Sequence, residues 1–181
     1  MRFKGLFALA VAAAAALLLG TLPVEAAQGS IEAVWASRQV SFVYQGFTTH
    51  YSCDGLRDTI QEMLSKLGAR DLKVRSQGCT RGTGVEPFPG VRVTMQVLVP
   101  ASSGHGKNTG PAVRAHWQKA VLMAPNAGIG EQGNCELIEQ FKETFLPLFT
   151  TRHIDYQSNC IPHQLTLGTH LGAEVLMPEG K

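Results

Sequence analysis

The sequence lacks a surplus of charge of either sign. Its 16 lysines and arginines stand against 14 aspartates and glutamates, which leaves a formal net charge of +2 at pH 7. A balance so close to zero provides no extended basic surface that would recruit nucleic acid or anionic lipid by itself. The composition therefore argues against a nucleic-acid-binding protein.

The chain also lacks any long apolar run beyond its N-terminal segment. The one such run, Leu6–Leu19, follows Arg2 and Lys4 and precedes small residues ending at Ala26. This order predicts a signal peptide over residues 1–26, and the run is short for a membrane span, which needs about 20 apolar residues. We expect an exported protein, periplasmic or secreted, without a membrane span after signal removal. An uncleaved N-terminal anchor is the alternative.

Signature motifs of the common hydrolase classes are missing as well. The sequence contains no G-x-S-x-G or H-E-x-x-H pattern, so it offers no nucleophile elbow and no zinc-protease helix. Gly128, Gly130 and Gly133 have the spacing G-x-G-x-x-G, which by itself is a weak signal for a dinucleotide site. The segment ending in Lys107 resembles a phosphate-binding loop, but Ala101 stands where glycine is required and Asn108 where serine or threonine is required. The sequence assigns no catalytic residue and no cofactor.

What the chain does contain is four cysteines in a repeated frame. The interval from Cys53 to Cys79 and the interval from Cys135 to Cys160 are almost equal in length, and each reads as an amphipathic helix followed by a short strand. Four cysteines allow three pairings. Pairing within each interval is favoured, because a helix start and the end of the next strand can meet at one edge of an α/β layer. Export makes such disulfides chemically plausible.

Two alternatives use the residues beside the cysteines. His50-x-x-Cys53 and Cys160-x-x-His163 supply two cysteines and two histidines, a set that can hold zinc. That arrangement leaves two free thiols in an oxidising compartment, so the disulfides are preferred and no metal ligand is assigned. The other alternative is an exported hydrolase whose site is assembled from scattered residues, with His50, Tyr51 and His163 as candidates.

A constant offset in residue number relates the two halves of the chain. The same offset aligns Cys53 with Cys135 and Arg70 with Arg152, which predicts a duplicated strand-helix-strand-strand unit. The expected fold is α+β, a two-layer mixed sheet of about six strands with two helices on one face, ferredoxin-like in spirit. The predicted domain spans 38–181, with an N-terminal leader at 27–37, repeat one at 38–100, a linker at 101–112 and repeat two at 113–178.

Residues 91–99 give the clearest strand, because valines and a methionine alternate with polar residues. Arg92, Thr94 and Gln96 should lie on its solvent-exposed face, where a partner can bind, and an edge strand is the alternative docking site. Arg70 and Arg152 are candidate anion ligands, although solvated or ion-paired arginines are the simpler interpretation. Asp54 and Glu136, at equivalent helix starts, are interpreted as first-turn acids that favour the helix dipole.

The segments Tyr51–Leu56, Leu67–Arg70 and Ala115–Trp117 resemble those of a family of small exported four-cysteine bacterial proteins with no assigned activity. The likeness covers roughly residues 34–178, and it implies export and the shared cysteine framework but no catalytic residue. Together with the missing enzyme motifs, it favours a non-enzymatic binding or structural module of the cell envelope. An envelope or secreted protein is the expected partner.

Overall fold

The computed structural model describes residues 29–80, 84–103, 110–123, 134–164 and 169–180. The predicted signal peptide and half of the predicted linker, residues 104–109, lie outside these residues. The elements follow one another as β1 (Ile31–Val43), α1 (Cys53–Lys66), β2 (Arg70–Gln77), β3 (Gly90–Pro100), β4 (Val113–Met123), α2 (Cys135–Thr144), β5 (Thr151–Gln157) and β6 (His170–Pro178). We call residues 31–100 the first half and residues 113–178 the second half. Each half has the order strand, helix, strand, strand.

The six strands form one sheet in the order β2-β3-β1-β4-β6-β5, so the prediction of an α+β fold with six strands and two helices is confirmed. The expected mixed pairing is wrong, because all five strand pairs are antiparallel. Strands β1 and β2 do run in the same direction, as a strand-helix-strand crossover requires. They are not neighbours, however, because β3 returns between them and pairs with both.

The first strand is longer than predicted, and the expected leader at 27–37 is wrong from Ile31 onward. Residues 31–37 belong to β1, with Ala33 and Ala36 fully buried. This segment shows no strand alternation in the sequence because it buries residues on both faces of the sheet. Ala36 joins the main core on the helix side, whereas Ala33 packs with Leu98 and Leu176 on the opposite side.

Both helices begin directly at a cysteine. Ser52 caps α1, since its hydroxyl accepts a hydrogen bond from the backbone N–H of Gly55 at 3.1 Å. Gly68, with φ +80°, follows the helix in the left-handed region, as its sequence position predicts. Helix α2 ends at Thr144, earlier than its apolar stripe suggests, because Pro147 lies in a separate 3-10 turn over Leu146–Leu148.

The disulfides follow the pairing favoured by the spacing. Cys53 lies at bonding distance from Cys79, and Cys135 from Cys160, with Cα–Cα separations of 6.2 Å and 5.5 Å. Each bond ties the start of a helix to the chain just beyond the strand that follows it. The two halves are therefore stapled separately, and no disulfide joins one half to the other within the described residues.

The halves share one core although they share little backbone pairing. Strands β1 and β4 pair over three residues only, Ile31 to Ala33 with Val113 to Ala115. The main cluster nevertheless contains buried side chains from both halves. Phe145, which follows α2, meets Phe42 of β1 edge to face at 5.2 Å between ring centroids. Apolar packing, more than strand pairing, therefore holds the halves together.

Replacing both Cys135 and Cys160 by alanine should lower the free energy of unfolding by about 3 kcal/mol, because the bridge closes a loop of 25 residues and so restricts the unfolded chain. Urea titration of the oxidised protein measures the change. The Cys53→Ala/Cys79→Ala variant is the matched control and should lose a similar amount. A loss below about 1 kcal/mol in both variants would contradict the view that the disulfides stabilise each half.

Candidate functional site

The outer face of the first half, opposite the helices, carries a regular array of polar side chains. Strand register sets three rows that cross β2, β3 and β1. We call the nine side chains the basic patch. They are Arg70, Gln96 and Ser37 in the first row, Lys73, Thr94 and Gln39 in the second, and Arg75, Arg92 and Ser41 in the third. The patch holds four cations, five neutral hydrogen-bonding groups and no carboxylate.

The sequence places only part of this patch. Arg92, Thr94, Gln96 and Arg70 are among the predicted binding residues, and the structure brings all four onto one face. Arg92 is exposed and Thr94 is half-buried. The remaining five patch residues are missing from the sequence-based prediction because strand order decides their neighbours. Their own alternation along β1 and β2 is the signal that could have found them.

Like charges stand opposite one another in the third row. Arg75 of β2 pairs in register with Arg92 of β3, which places the two Cβ atoms about 5 Å apart. Such a pair is destabilising in a sheet. Neither arginine, nor Lys73, has an ion pair or a side-chain hydrogen bond with any residue in the described part of the chain. Among the described residues, no acidic side chain neutralises this charge.

The second half offers an internal comparison, because its scaffold is the same and its charges are not. There Arg152 pairs in register with Glu174, and their side chains form an ion pair at 2.5 Å. Asp155 occupies the position equivalent to Lys73, and it contacts His170 at 2.8 Å. Gln157 stands where the first half has Arg75. The outer face of the second half is thus internally paired, whereas that of the first half is basic.

A shallow depression lies over the first two rows of the basic patch. It has a volume of about 320 Å³ and is lined by eight residues, Ser37, Arg38, Gln39, Asp71, Lys73, Thr94, Met95 and Gln96. Four of these are neutral patch residues, and Lys73 is the patch cation beside them. Asp71 is the one acid of the lining, and it lies 3.8 Å from Arg70. The depression therefore presents hydroxyl and amide groups beside a positive charge.

Arg70 and Arg152 are each stacked on a tryptophan instead of meeting across the repeat. The guanidinium of Arg70 lies 5.3 Å from the ring centroid of Trp35, and that of Arg152 lies 4.4 Å from Trp117. The two tryptophans are separated in the sequence by the same offset as the two arginines. Stacking fixes both arginine side chains on the outer face.

Both edge strands are interrupted directly after their arginine. Register shifts occur between Arg70 and Lys73 in β2 and between Arg152 and Asp155 in β5. Asp71 and His153, at these shifts, both have φ +49°. Bulges and charged side chains hinder the addition of another strand. The face of the sheet is therefore a better docking surface than its edges.

Glu136 has a role that the sequence does not indicate. It does not act as a simple first-turn acid, because its buried carboxylate accepts hydrogen bonds from the loop that follows β1. The donors are the backbone N–H groups of Phe47 at 2.9 Å and Thr48 at 3.0 Å, and the hydroxyl groups of Tyr44 at 3.2 Å and Thr48 at 3.3 Å. Its counterpart Asp54 is exposed and pairs with Arg57. Glu136 thus anchors the first half to the second.

The pKa of the Glu136 carboxyl group is set by its burial and by its hydrogen-bond donors. Burial is the largest single influence and would raise the pKa of Glu136, but the N–H groups of Thr48 and Phe47 and the two hydroxyls together outweigh it. The pKa is therefore lowered from its ordinary value. Burial first, and then the charge of Glu136, raise the pKa of Tyr44 and of Tyr51. Both phenols stay protonated and can donate hydrogen bonds.

The candidates of the hydrolase and zinc alternatives are placed as follows. The hydroxyl of Tyr51 donates to the side chain of Asn134 across the halves, so Asn134 does not cap its own helix. The ring of His163 lies 5.4 Å from that of Phe47, and His50 is exposed. No side-chain hydrogen bond joins the three candidates within the described residues. Cys53 and Cys160, which zinc would need as thiolates, are both in disulfides, and the described residues contain no group of three or more metal-binding side chains.

Comparison with known proteins gives no family. The chain shows no match to protein-family models, to curated proteins or to solved structures. Within the described residues, no helix has both the length and the apolar character needed to cross a membrane. The functional argument therefore rests on the basic patch itself.

Neutralising one arginine of the third row should stabilise the protein. Arg75→Gln removes the repulsion from Arg92, so we expect the free energy of unfolding to rise by about 0.5 kcal/mol at low salt. The gain should vanish in about 1 M salt, where charges are screened beyond about 3 Å. Lys119→Gln is the matched control. Lys119 faces Glu174 in register, so removal of the lysine charge should not stabilise the protein. Equal effects of the two substitutions would count against an unbalanced charge in the patch.

Glu136→Gln should lower the free energy of unfolding by about 2 kcal/mol at pH 7, because four hydrogen bonds then lose a charged acceptor. The pKa of Glu136 is below its unfolded value of 4.5, so its stabilising effect is complete above that pH and is lost as the pH falls through the folded pKa. Wild type and variant should converge in urea titrations near pH 2. Asp54→Asn is the control at the equivalent position, and a pH-independent difference for Glu136→Gln would refute the assignment.

Proposed function

We propose that this protein is an exported, non-enzymatic binding module of the cell envelope and that the basic patch is its contact surface. The observation that carries the proposal is the row in which Arg75 stands opposite Arg92 without a carboxylate among the patch residues. The two disulfides are compatible with an oxidising compartment outside the cytoplasm. Export itself is part of the proposal.

The loss of stability caused by the like charges of the patch supports a binding role. Charges held on neighbouring strands without counter-ions reduce stability, and the second half avoids this cost with Glu174 and Asp155 on the corresponding face. A negatively charged partner would offset the repulsion in the first half. Electrostatic complementarity of this kind also increases the rate of association and its specificity. We therefore expect the partner to be acidic where it meets the patch.

The scaffold suits a rigid contact surface. The patch lies on β2, β3 and β1, and behind it Val91, Val93 and Val97 of β3 are fully buried. The disulfide between Cys53 and Cys79 ties the end of β2 to α1. Because the strands are held from behind, the patch side chains start from fixed backbone positions. Preorganisation lowers the entropy lost on binding.

Photo-crosslinking in cells that naturally produce the protein tests the proposal. A benzoylphenylalanine at Gln39, in the second row of the patch, should give a crosslinked adduct. The same group at Val121, which is exposed and occupies the equivalent position of the second half, should not. The adduct should disappear when Arg75 and Arg92 are both changed to Gln. Equal labelling from both positions, or none from either, would refute the patch as the contact surface.

A further inference from the structure

The basic patch differs in its chemistry from a surface that simply attracts negative charge. Beside its cations it places five side chains with hydroxyl or amide groups, Ser37, Ser41, Thr94, Gln39 and Gln96. None of them makes a side-chain hydrogen bond to another residue of the described part of the chain. Their hydrogen-bonding capacity is open to a ligand. The ligand should therefore supply both anionic groups and neutral hydroxyl groups.

We infer that the ligand is an acidic polysaccharide, a sugar chain bearing carboxylate or phosphate groups. This inference rests on the proposed function and names the partner of the same surface. Sugar hydroxyls match the neutral side chains, because each can both donate and accept hydrogen bonds as serine, threonine and glutamine do. The acidic substituents match Lys73, Arg75 and Arg92, of which the arginines can bind a carboxylate or phosphate with two parallel hydrogen bonds.

The geometry of the patch fits an extended chain lying on a sheet. The depression of about 320 Å³ is at the lower end of the volumes found for ligand sites, and its lining comes from three adjacent strands. Lys73 and Arg75 are two residues apart on β2, which corresponds to about 7 Å along the strand. Arg92 extends the positive charge inward to β3. The cations thus flank the depression along one side and close one end of it.

The other polyanions fit this surface less well. A protein partner usually contributes to an apolar core of the interface with aromatic anchors, and none of the nine patch positions is apolar. Stable attachment to an anionic membrane usually adds an apolar anchor to the basic charge. Single-stranded nucleic acid requires aromatic platforms for its bases, but Trp35 beside the patch is stacked with Arg70. Neutral polar groups beside a row of cations favour a sugar chain.

Binding to polygalacturonate and to a phosphomannan, a sugar chain that carries phosphate groups, tests the inference. Neutral dextran, polyglutamate and phosphatidylglycerol vesicles are the comparison ligands. We expect at least one of the two acidic polymers to bind at least ten-fold more tightly than the three comparison ligands. The triple variant Lys73→Gln/Arg75→Gln/Arg92→Gln should lose at least ten-fold in affinity. The control Lys66→Gln/Arg114→Gln/Lys119→Gln removes the same charge from exposed positions elsewhere and should stay within about three-fold. Thermal melting confirms that both variants fold.

A second variant separates sugar recognition from charge. Thr94→Val keeps the side-chain shape and removes the hydroxyl, so affinity for the bound acidic polymer should fall three-fold or more. Binding of polyglutamate or vesicles should not change. Tightest binding to polyglutamate or to vesicles, or no effect of Thr94→Val, would overturn the inference. If neither acidic polymer binds while Gln39 still gives its patch-dependent crosslink, the acidic polysaccharide is wrong and the proposed function stands.

Discussion

The contact between the two halves is the constraint on which the rest of the structure depends. Backbone pairing between them is limited to three residues at the starts of β1 and β4. Side-chain contacts must therefore supply the rest of the interface between the halves. Phe145 packs against Phe42, and Glu136 takes hydrogen bonds from the loop that follows β1. Since each disulfide lies within one half, neither bond supports this contact. Burial of apolar side chains and one well-satisfied carboxylate hold the domain together.

This arrangement leaves the outer face of the sheet free to differ between the halves. Stability comes from the inner face, the helices and the disulfides, and the second small apolar cluster occupies only the region around Leu98 and Leu176. The remaining outer positions contribute little to the core. In the second half they carry an internal ion pair between Arg152 and Glu174. In the first half Lys73, Arg75 and Arg92 have no ion pair within the described residues, which lowers stability and supports the proposed binding role.

Much of the fold is readable in the sequence, because its signals are local. The stripe from Leu56 to Leu67 identifies α1, and the alternation from Val91 to Val99 identifies β3, with Arg92 on its exposed face. The predicted leader is wrong because Ala33 and Trp35 lie in the middle of the sheet, where the strand buries residues on both faces and alternation disappears. The predicted mixed sheet is wrong because β3 inserts between β1 and β2. Strand order depends on contacts between residues that are far apart in the chain. A local sequence pattern contains no information about such contacts.

Part of the candidate site can likewise be predicted from local sequence patterns, and the rest depends on strand order. Arg92, Thr94 and Gln96 follow from the alternation of a single strand, whereas Lys73 and Arg75 join them only through the pairing of β2 with β3. The sequence by itself determined the elements, the cysteine pairing within each half and the identity of one exposed face, since each follows from the spacing of nearby residues. The tertiary structure alone decided which side chains face one another across strands. Register places Arg75 opposite Arg92, and packing places Glu136 against a loop from the other half of the chain, because these contacts arise only when distant segments assemble into one core.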